Sequence, residues 1–176
     1  AAAGGDSGYK IEKSLRFDAG DTAYLSHTPT SDTAKPTQFT ISFWTKAEGD
    51  TANTRAWCTA GATSSTTGLL QFYIEYGKIV INGNGAYMMS DRWLRDPSAW
   101  YHIVLAVDTT LTTANDRMKV WVNNERITDW GTNTPVGVGG KFIWNTNVVH
   151  RIGGMYNASG ALGSHLSGLL AEFYNI

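Results

Sequence analysis

The chain has 176 residues, of which only 16% are charged, and a formal net charge of −1. This length is enough for one domain with a substantial core, and the charge excludes the basic surface by which proteins bind nucleic acid or anionic membranes. The single cysteine, Cys58, excludes an internal disulfide. No apolar run approaches the length of a membrane span, so membrane insertion is not expected.

Apolar and polar residues alternate along most of the chain, which is the pattern of strands that have one face in a core. Helical periodicity is almost absent, apart from one possible turn near Ser90–Leu94. The predicted strands are Lys13–Phe17, Ala23–His27, Phe39–Lys46, Ala56–Ala60, Leu69–Glu75, Lys78–Asn82, Ala86–Ser90, Tyr101–Asp108, Arg117–Asn123, Arg126–Asp129, Lys141–Trp144, Val149–Gly153 and Leu166–Tyr174. Many short strands at this spacing predict an all-β fold, a sandwich or a barrel.

Turn signals separate the strands. Asn123-Asn124 can adopt the positive φ values of a tight hairpin, and Tyr76-Gly77 predicts another hairpin tip. Ser26–Gln38 and Asp129–Lys141 are rich in Thr, Pro and Gly and are interpreted as surface loops. Residues 1–8, Ala-Ala-Ala-Gly-Gly-Asp-Ser-Gly, are interpreted as a flexible linker, and residues 9–176 as a single domain.

Several of these strands, taken in order, resemble the laminin-G-like, concanavalin-A-like jelly-roll superfamily. The resemblance is carried by Ser14–Asp18 with Ala23–Leu25, Phe39–Lys46, Trp100–His102 with Asp108, Lys119–Asn123 and Gly168–Tyr174. It implies an antiparallel β-sandwich of jelly-roll type, with Trp44, Trp100, Phe17, Phe43 and Phe173 in the core. The superfamily's strand histidine corresponds to His102, and the resemblance implies a structural role for it.

A narrower resemblance links the chain to such domains in bacteriophage virion proteins, particularly those of marine phages. It is carried by Gly8–Phe17, Ala23–Pro29, Asp96–His102 and Leu170–Phe173. It implies a tail fibre, a tail spike or another protein of the virion surface. Because phage fibres and spikes are usually trimers, it also implies a homo-oligomer in contact with other virion proteins.

Glucanases also occur in the superfamily, so paired carboxylates are the first catalytic feature to look for. Glycoside hydrolysis needs two carboxyl groups across one cleft, which alternate positions of one strand could supply. Glu75 stands alone on its predicted strand, and Glu172 has no acidic neighbour. No nucleophile elbow is present either. The sequence therefore predicts a protein that is not an enzyme.

Calcium is the metal that the resemblance implies, because many relatives hold one at the rim of the sandwich. The candidate ligands are Asp18 and Asp21, which flank a glycine turn, Asp108, which ends a predicted strand, and Glu172 on the last strand. The alternative for Asp18 and Asp21 is that they only shape their turn through hydrogen bonds to the backbone. The four histidines show no ligand spacing, so zinc is not expected.

Aromatic side chains are the remaining signal, because their faces cover the apolar side of a pyranose ring while neighbouring polar groups bind its hydroxyls. The aromatic residues that sit in or beside predicted loops with polar neighbours are Trp57, Tyr87, Trp93, Trp130 and Tyr156. They are the candidate contacts to a glycan. The alternative is that each ring caps a hydrophobic edge or packs against a neighbouring subunit.

Two functions are consistent with these features. The first is a non-enzymatic binding module on a virion surface, which recognises a glycan of the bacterial envelope. The second is a structural or decorative virion domain that makes only protein contacts. A solvent-facing aromatic cluster beside a groove favours the first, whereas aromatic residues buried between chains favour the second.

Overall fold

The structure is a computed structural model and describes residues 10–31, 37–47, 53–61, 67–156 and 161–176. The predicted linker lies outside these residues. The described residues form fifteen strands: β1 Leu15–Phe17, β2 Leu25–His27, β3 Gln38–Ala47, β4 Thr54–Ala60, β5 Leu70–Glu75, β6 Lys78–Gly83, β7 Ala86–Trp93, β8 Tyr101–Asp108, β9 Met118–Val122, β10 Glu125–Arg126, β11 Trp130–Thr134, β12 His150–Ile152, β13 Met155–Tyr156, β14 Leu162–Gly163 and β15 Gly168–Asn175.

Two large sheets contain thirteen of these strands. One has six strands in the order β1-β15-β3-β8-β9-β10, and the other has seven in the order β11-β7-β6-β5-β4-β12-β2. Every strand pairing is antiparallel, and β13 and β14 form a separate hairpin. The predicted antiparallel β-sandwich is therefore confirmed. No helix in the described residues is long and apolar enough to cross a membrane.

The core lies between the inner faces of the two sheets. Phe43 of the six-stranded sheet contacts Trp57 and Phe72 of the seven-stranded sheet, with ring centroids 5.3 and 5.9 Å apart. The alternation of the sequence positions these residues, because every second residue of β3, β8 and β9 is buried. Phe17 and Phe43 are buried as expected, and the half-buried Phe173 packs against the core.

Three hairpins depend on two-residue turns in which both residues have positive φ. The φ values are 49° and 76° at Tyr76-Gly77, and 50° and 79° at Asn84-Gly85. At Asn123-Asn124 they are 51° and 65°, so the two hairpin tips predicted from the sequence are confirmed. Such turns match the right-handed twist of the strands that they connect.

Three local predictions are wrong. Ser90–Leu94 contains no helical turn, because β7 continues to Trp93, and the described residues contain only one short 3-10 helix, at Ala114–Asp116. Asp129–Lys141 is not loop throughout, because it contains β11. Lys141–Trp144 forms no strand.

The apolar residues at Lys141–Trp144 close one end of the space between the sheets. Phe142 packs edge-on against Phe39, with centroids 5.9 Å apart, and the indole of Trp144 donates a hydrogen bond to Asn175 at 2.9 Å. The side chains of a short apolar run can be buried equally well from a strand or from an irregular segment such as this one, so periodicity cannot distinguish the two.

We expect Phe43→Ala to lower the free energy of unfolding by about 3–5 kcal/mol, because it removes the ring that joins the two sheets and leaves a cavity. Leu15→Ala is the control, since Leu15 is exposed on an edge strand, and we expect less than about 1 kcal/mol there. Urea unfolding followed by tryptophan fluorescence measures both. Equal effects would contradict this account of the core.

Candidate functional site

Trp57 is not available to a ligand, although the sequence predicts that it lies in or beside a loop. It lies within β4 and has no exposed surface. A β-bulge between Ala56 and Cys58 leaves it unpaired in the ladder, and its ring packs 5.1 Å from that of Phe72. Bulges re-aim side chains. This candidate is corrected to a core residue.

Trp130 is half-buried on β11 and packs against the main core. Its register with β7 shifts immediately after it, between Trp130 and Thr132. Most of the Trp130 ring therefore packs against the core. This agrees with the alternative that such rings cap a hydrophobic edge.

The outer face of the seven-stranded sheet brings two other predicted residues together. Tyr87 on β7 shares a side-chain hydrogen bond with Tyr73 on β5. Tyr156 on β13 accepts a hydrogen bond from Gln71 through its carbonyl oxygen, at 2.9 Å, and Gln71 in turn accepts one from Asn82 at 3.0 Å. Asn82 pairs with Tyr87 in the register, so these side chains form one continuous group.

Arg151 fixes the position of the Tyr156 ring. Its guanidinium carbon lies 4.7 Å from the ring centroid, and Nη2 donates a hydrogen bond to the Tyr156 hydroxyl at 3.1 Å. Nη1 donates to the carbonyl of Gly61 at 3.0 Å. The buried arginine and the half-buried tyrosine therefore form a rigid end of this face.

Trp93, at the end of β7, is the most accessible of the predicted aromatic residues, with 40% of its surface exposed. Two cations flank its ring: Lys78 Nζ lies 5.6 Å and Arg95 Cζ 5.7 Å from the centroid. Lys78 also forms an ion pair with Asp91 at 3.5 Å. Trp93 pairs with Lys78 in the register, and Lys78 pairs with Glu75.

The outward side chains of β5, β6 and β7 form three successive rows, which we call the outer band. The rows are Glu75, Lys78 and Trp93; Tyr73, Val80 and Met89; and Gln71, Asn82 and Tyr87. The middle of the band is covered, because Gln71, Tyr73 and Val80 are buried and Met155 packs with Tyr73 and Val80. The accessible groups therefore lie at its two ends, Trp93 with Lys78 and Glu75 at one and Tyr87 with Asn82 at the other, so that each end combines an aromatic ring with polar groups. Such a surface can stack against a sugar ring and bind its hydroxyls at the same time.

Tyr73, which is buried, is the aromatic member of the outer band that was not predicted from the sequence. The signal was present, because Gln71, Tyr73 and Glu75 occupy alternate positions on β5 and so share a face. Burial, reinforced by the nearby Glu75 charge, raises the pKa of the Tyr73 hydroxyl above its ordinary range, and the same two causes raise the pKa of Tyr87.

The four carboxylates considered for calcium do not meet in one site. The described residues contain no group of three His, Cys, Asp or Glu side chains that could hold a metal. Asp18 accepts a hydrogen bond from the Gly20 amide at 2.8 Å, and Asp21 is exposed in the same turn. Glu172 lines a groove beside β1. These residues do not fit a shared calcium site, and calcium binding stays a prediction that a calcium titration of metal-free protein would check.

Asp108 already has hydrogen-bond partners within the chain. One oxygen accepts from the Thr110 amide at 3.0 Å and the other from Gln38 at 3.0 Å. The bonds from Thr110 and Gln38 lower the pKa of the Asp108 carboxyl. This carboxylate is therefore ionised at neutral pH and shapes the end of β8.

No protein-family profile matches the sequence, and no curated protein matches it. Solved structures do match. Domains LG4-5 of the mouse laminin α1 chain give a TM-score of 0.60 at 12% identity, over 91% of this chain and 40% of that one. The CBM40 of Ruminococcus gnavus IT-sialidase, bound to α2,3-sialyllactose, gives 0.55 at 16% identity, over 92% and 90%.

A third match is the enzymatically active domain of tailspike protein 2 of bacteriophage CBA120. It gives a TM-score of 0.56 at 18% identity, over 92% of this chain and 25% of that one. Together with the sheet order, these likenesses show that the chain has the laminin-G-like jelly-roll fold that its sequence resembles.

We expect the stability of the protein to fall as the pH rises above about 10, the ordinary pKa of tyrosine. Because the pKa of Tyr73 is raised in the folded state, Tyr73 stays neutral there at pH values at which it already ionises in the unfolded state. Ionisation in the unfolded state therefore lowers the free energy of unfolding as the pH rises. Tyr73→Phe should therefore lose less stability between pH 8 and pH 11 than the wild type. Chemical unfolding at the two pH values measures this.

Tyr24→Phe is the control for that experiment, because the Tyr24 side chain is exposed. Its loss of stability between the two pH values should equal that of the wild type. A Tyr73→Phe protein with the same loss as Tyr24→Phe would contradict the assignment.

Proposed function

We propose that this protein is a non-enzymatic module that binds a glycan of the bacterial envelope through the outer band. The observation that carries the proposal is the combination, on three adjacent strands, of the exposed Trp93 ring and the half-buried Tyr87 ring with Glu75, Lys78 and Asn82. Tyr156 extends the same face through its contacts with Gln71 and Arg151. The sialyllactose complex of the structurally similar CBM40 supports this function.

Two features of the carboxylates favour binding over catalysis. Glu75 accepts a hydrogen bond from Thr54 at 3.0 Å. Asp108 and Asp116 line one cleft, but hydrogen bonds and neighbouring cations lower the pKa of both. A glycoside hydrolase needs one carboxyl group with a raised pKa to act as its general acid. Two carboxylates that are both ionised at neutral pH do not supply that acid.

The proposed setting is the surface of a phage virion, in a tail fibre, spike or similar protein. The sequence resemblance to phage virion proteins supports it, as does the structural likeness to a phage tailspike. In such an assembly the chain would form a homo-oligomer, a trimer, in contact with other virion proteins. Repeating a weak site on several copies raises the apparent affinity by roughly 10²–10⁴.

We expect Trp93→Ala and Tyr87→Ala each to weaken binding to an immobilised envelope polysaccharide by about tenfold, which corresponds to about 1.4 kcal/mol. Each substitution removes a ring face while the sheet beneath stays packed. The measurement is surface plasmon resonance against purified lipopolysaccharides, capsular polysaccharides and teichoic acids. Leu15→Ala, on an edge strand of the other sheet, is the control and should bind like the wild type.

A wild-type chain that binds none of these polysaccharides, but co-purifies with virion proteins, would favour the second function, a structural or decorative domain. Saturable binding that survives both substitutions would place the site elsewhere on the protein.

A further inference from the structure

The outer face of the six-stranded sheet carries aromatic residues on four adjacent strands. Trp44 on β3 pairs with His102 on β8, and their rings stack with centroids 4.9 Å apart. Trp121 on β9 pairs with Val104 of β8, and Tyr174, 56% exposed, pairs with Ser42 of β3. The expectation that Trp44 lies in the core is therefore corrected: it is half-buried and points outward, opposite to the buried Phe43. Trp100 is also only half-buried.

Small side chains separate the two tryptophans. Ser42, Val104 and Trp121 lie in one row across the sheet, and this row is two residues along the strands from the row that contains Trp44. Trp44 and Trp121 are two strands apart, so their backbones are separated by about 10 Å across the sheet. We call the surface formed by Ser42, Trp44, Val104 and Trp121 the tryptophan trough. His102 on the intervening strand stacks on Trp44, so the trough is bounded by the Trp44–His102 pair on one side and by the Trp121 ring on the other, with Ser42 and Val104 between them.

The trough carries no charge at its centre. Burial lowers the pKa of His102, whose Nε2 lies 2.9 Å from the Ser42 hydroxyl, so the imidazole is neutral at physiological pH. Among the described residues, three cations border the trough. Arg126, opposite Trp121, and Lys119, two residues along β9 from Trp121, both form ion pairs with Asp116, at 3.2 and 3.3 Å. Lys46 lies two residues along β3 from Trp44. An uncharged ligand therefore matches this surface better than an ionic one.

A cleft of about 420 Å³ adjoins the trough on the same face. Thr40, Ala106 and Lys119 line it, and they form the row next to that of Ser42, Val104 and Trp121. Gln38 and Asp108 provide further polar groups in the cleft. A ligand long enough to extend from the trough into the cleft would thus reach groups that can form hydrogen bonds with its hydroxyls. The volume of the cleft is in the range of small-molecule sites.

We propose that the tryptophan trough and its cleft form a second carbohydrate site, which binds an uncharged oligosaccharide. Flat ring faces separated by small residues suit the apolar faces of sugar rings, and the adjoining polar cleft suits their hydroxyl groups. This site lies on the opposite side of the sandwich from the outer band and does not depend on it. One chain can then contact two glycan segments at once.

The test is isothermal titration of the 176-residue chain with maltoheptaose, cellohexaose, mannohexaose and, as an acidic comparison, hexagalacturonic acid. We expect at least one neutral oligosaccharide to bind in preference to the acidic one. Trp121→Ala should lower that affinity at least tenfold. Val104→Arg, which fills the floor and adds charge, should do the same without removing an aromatic ring. Tyr24→Ala, which removes an exposed aromatic ring outside both surfaces, is the matched control and should leave the affinity unchanged.

Three results would overturn the proposal: no neutral oligosaccharide binds, Trp121→Ala and Val104→Arg bind as tightly as the wild type, or Trp93→Ala removes the binding instead. The folded state of each variant is checked by thermal unfolding. Analytical ultracentrifugation measures self-association of the same variants. Self-association that Trp121→Ala abolishes, without any sugar binding, would overturn the proposal and identify this face as an interface between copies of the chain. Loss of function in the outer band alone would leave this site intact, so the two proposals fail separately.

Discussion

The contact of Phe43 with Trp57 and Phe72 across the two sheets is the interaction on which the rest of the molecule depends. It requires one face of each sheet to be apolar, and the period of two along each strand then turns the intervening residues outward. The β-bulge in β4 serves the same contact, because it turns Trp57 inward at a position where the ladder would otherwise continue regularly. Each outer face is thus free to carry side chains that the core does not need.

The two outer faces differ in chemistry although they share one core. On the seven-stranded sheet, the outer band mixes rings with Glu75, Lys78 and Asn82, and the β13–β14 hairpin supplies Tyr156 at one end. On the six-stranded sheet, the tryptophan trough is uncharged and its polar groups are gathered in the adjoining cleft. A sandwich with two such faces can present two different binding surfaces without a change in its core.

The positive-φ hairpin tips explain how the strands reach these positions. Tyr76-Gly77 sets the register of β5 against β6, and through it the rows of the outer band; Asn123-Asn124 follows β9 and holds β10 beside Trp121. A shift of one residue in either hairpin would exchange its inward and outward side chains. The asparagine side chains also act directly, since Asn123 accepts a hydrogen bond from the His102 amide at 2.8 Å.

The sequence by itself determined the fold class, most strand positions and two hairpin tips, because alternation and turn chemistry are local properties of the chain. It could also identify Tyr87, Trp93 and Tyr156 as aromatic residues with polar neighbours. Only the tertiary structure decided which rings are accessible. Trp57, predicted to be accessible, lies in the core, and Trp44, predicted to lie in the core, faces outward. A bulge in β4 and the choice of the inner face of β3 decide this, and both depend on residues far apart in the chain. Tyr73, Tyr87 and Tyr156 come together on one side of the sheet for the same reason: strand pairing brings together residues that no spacing in the sequence connects.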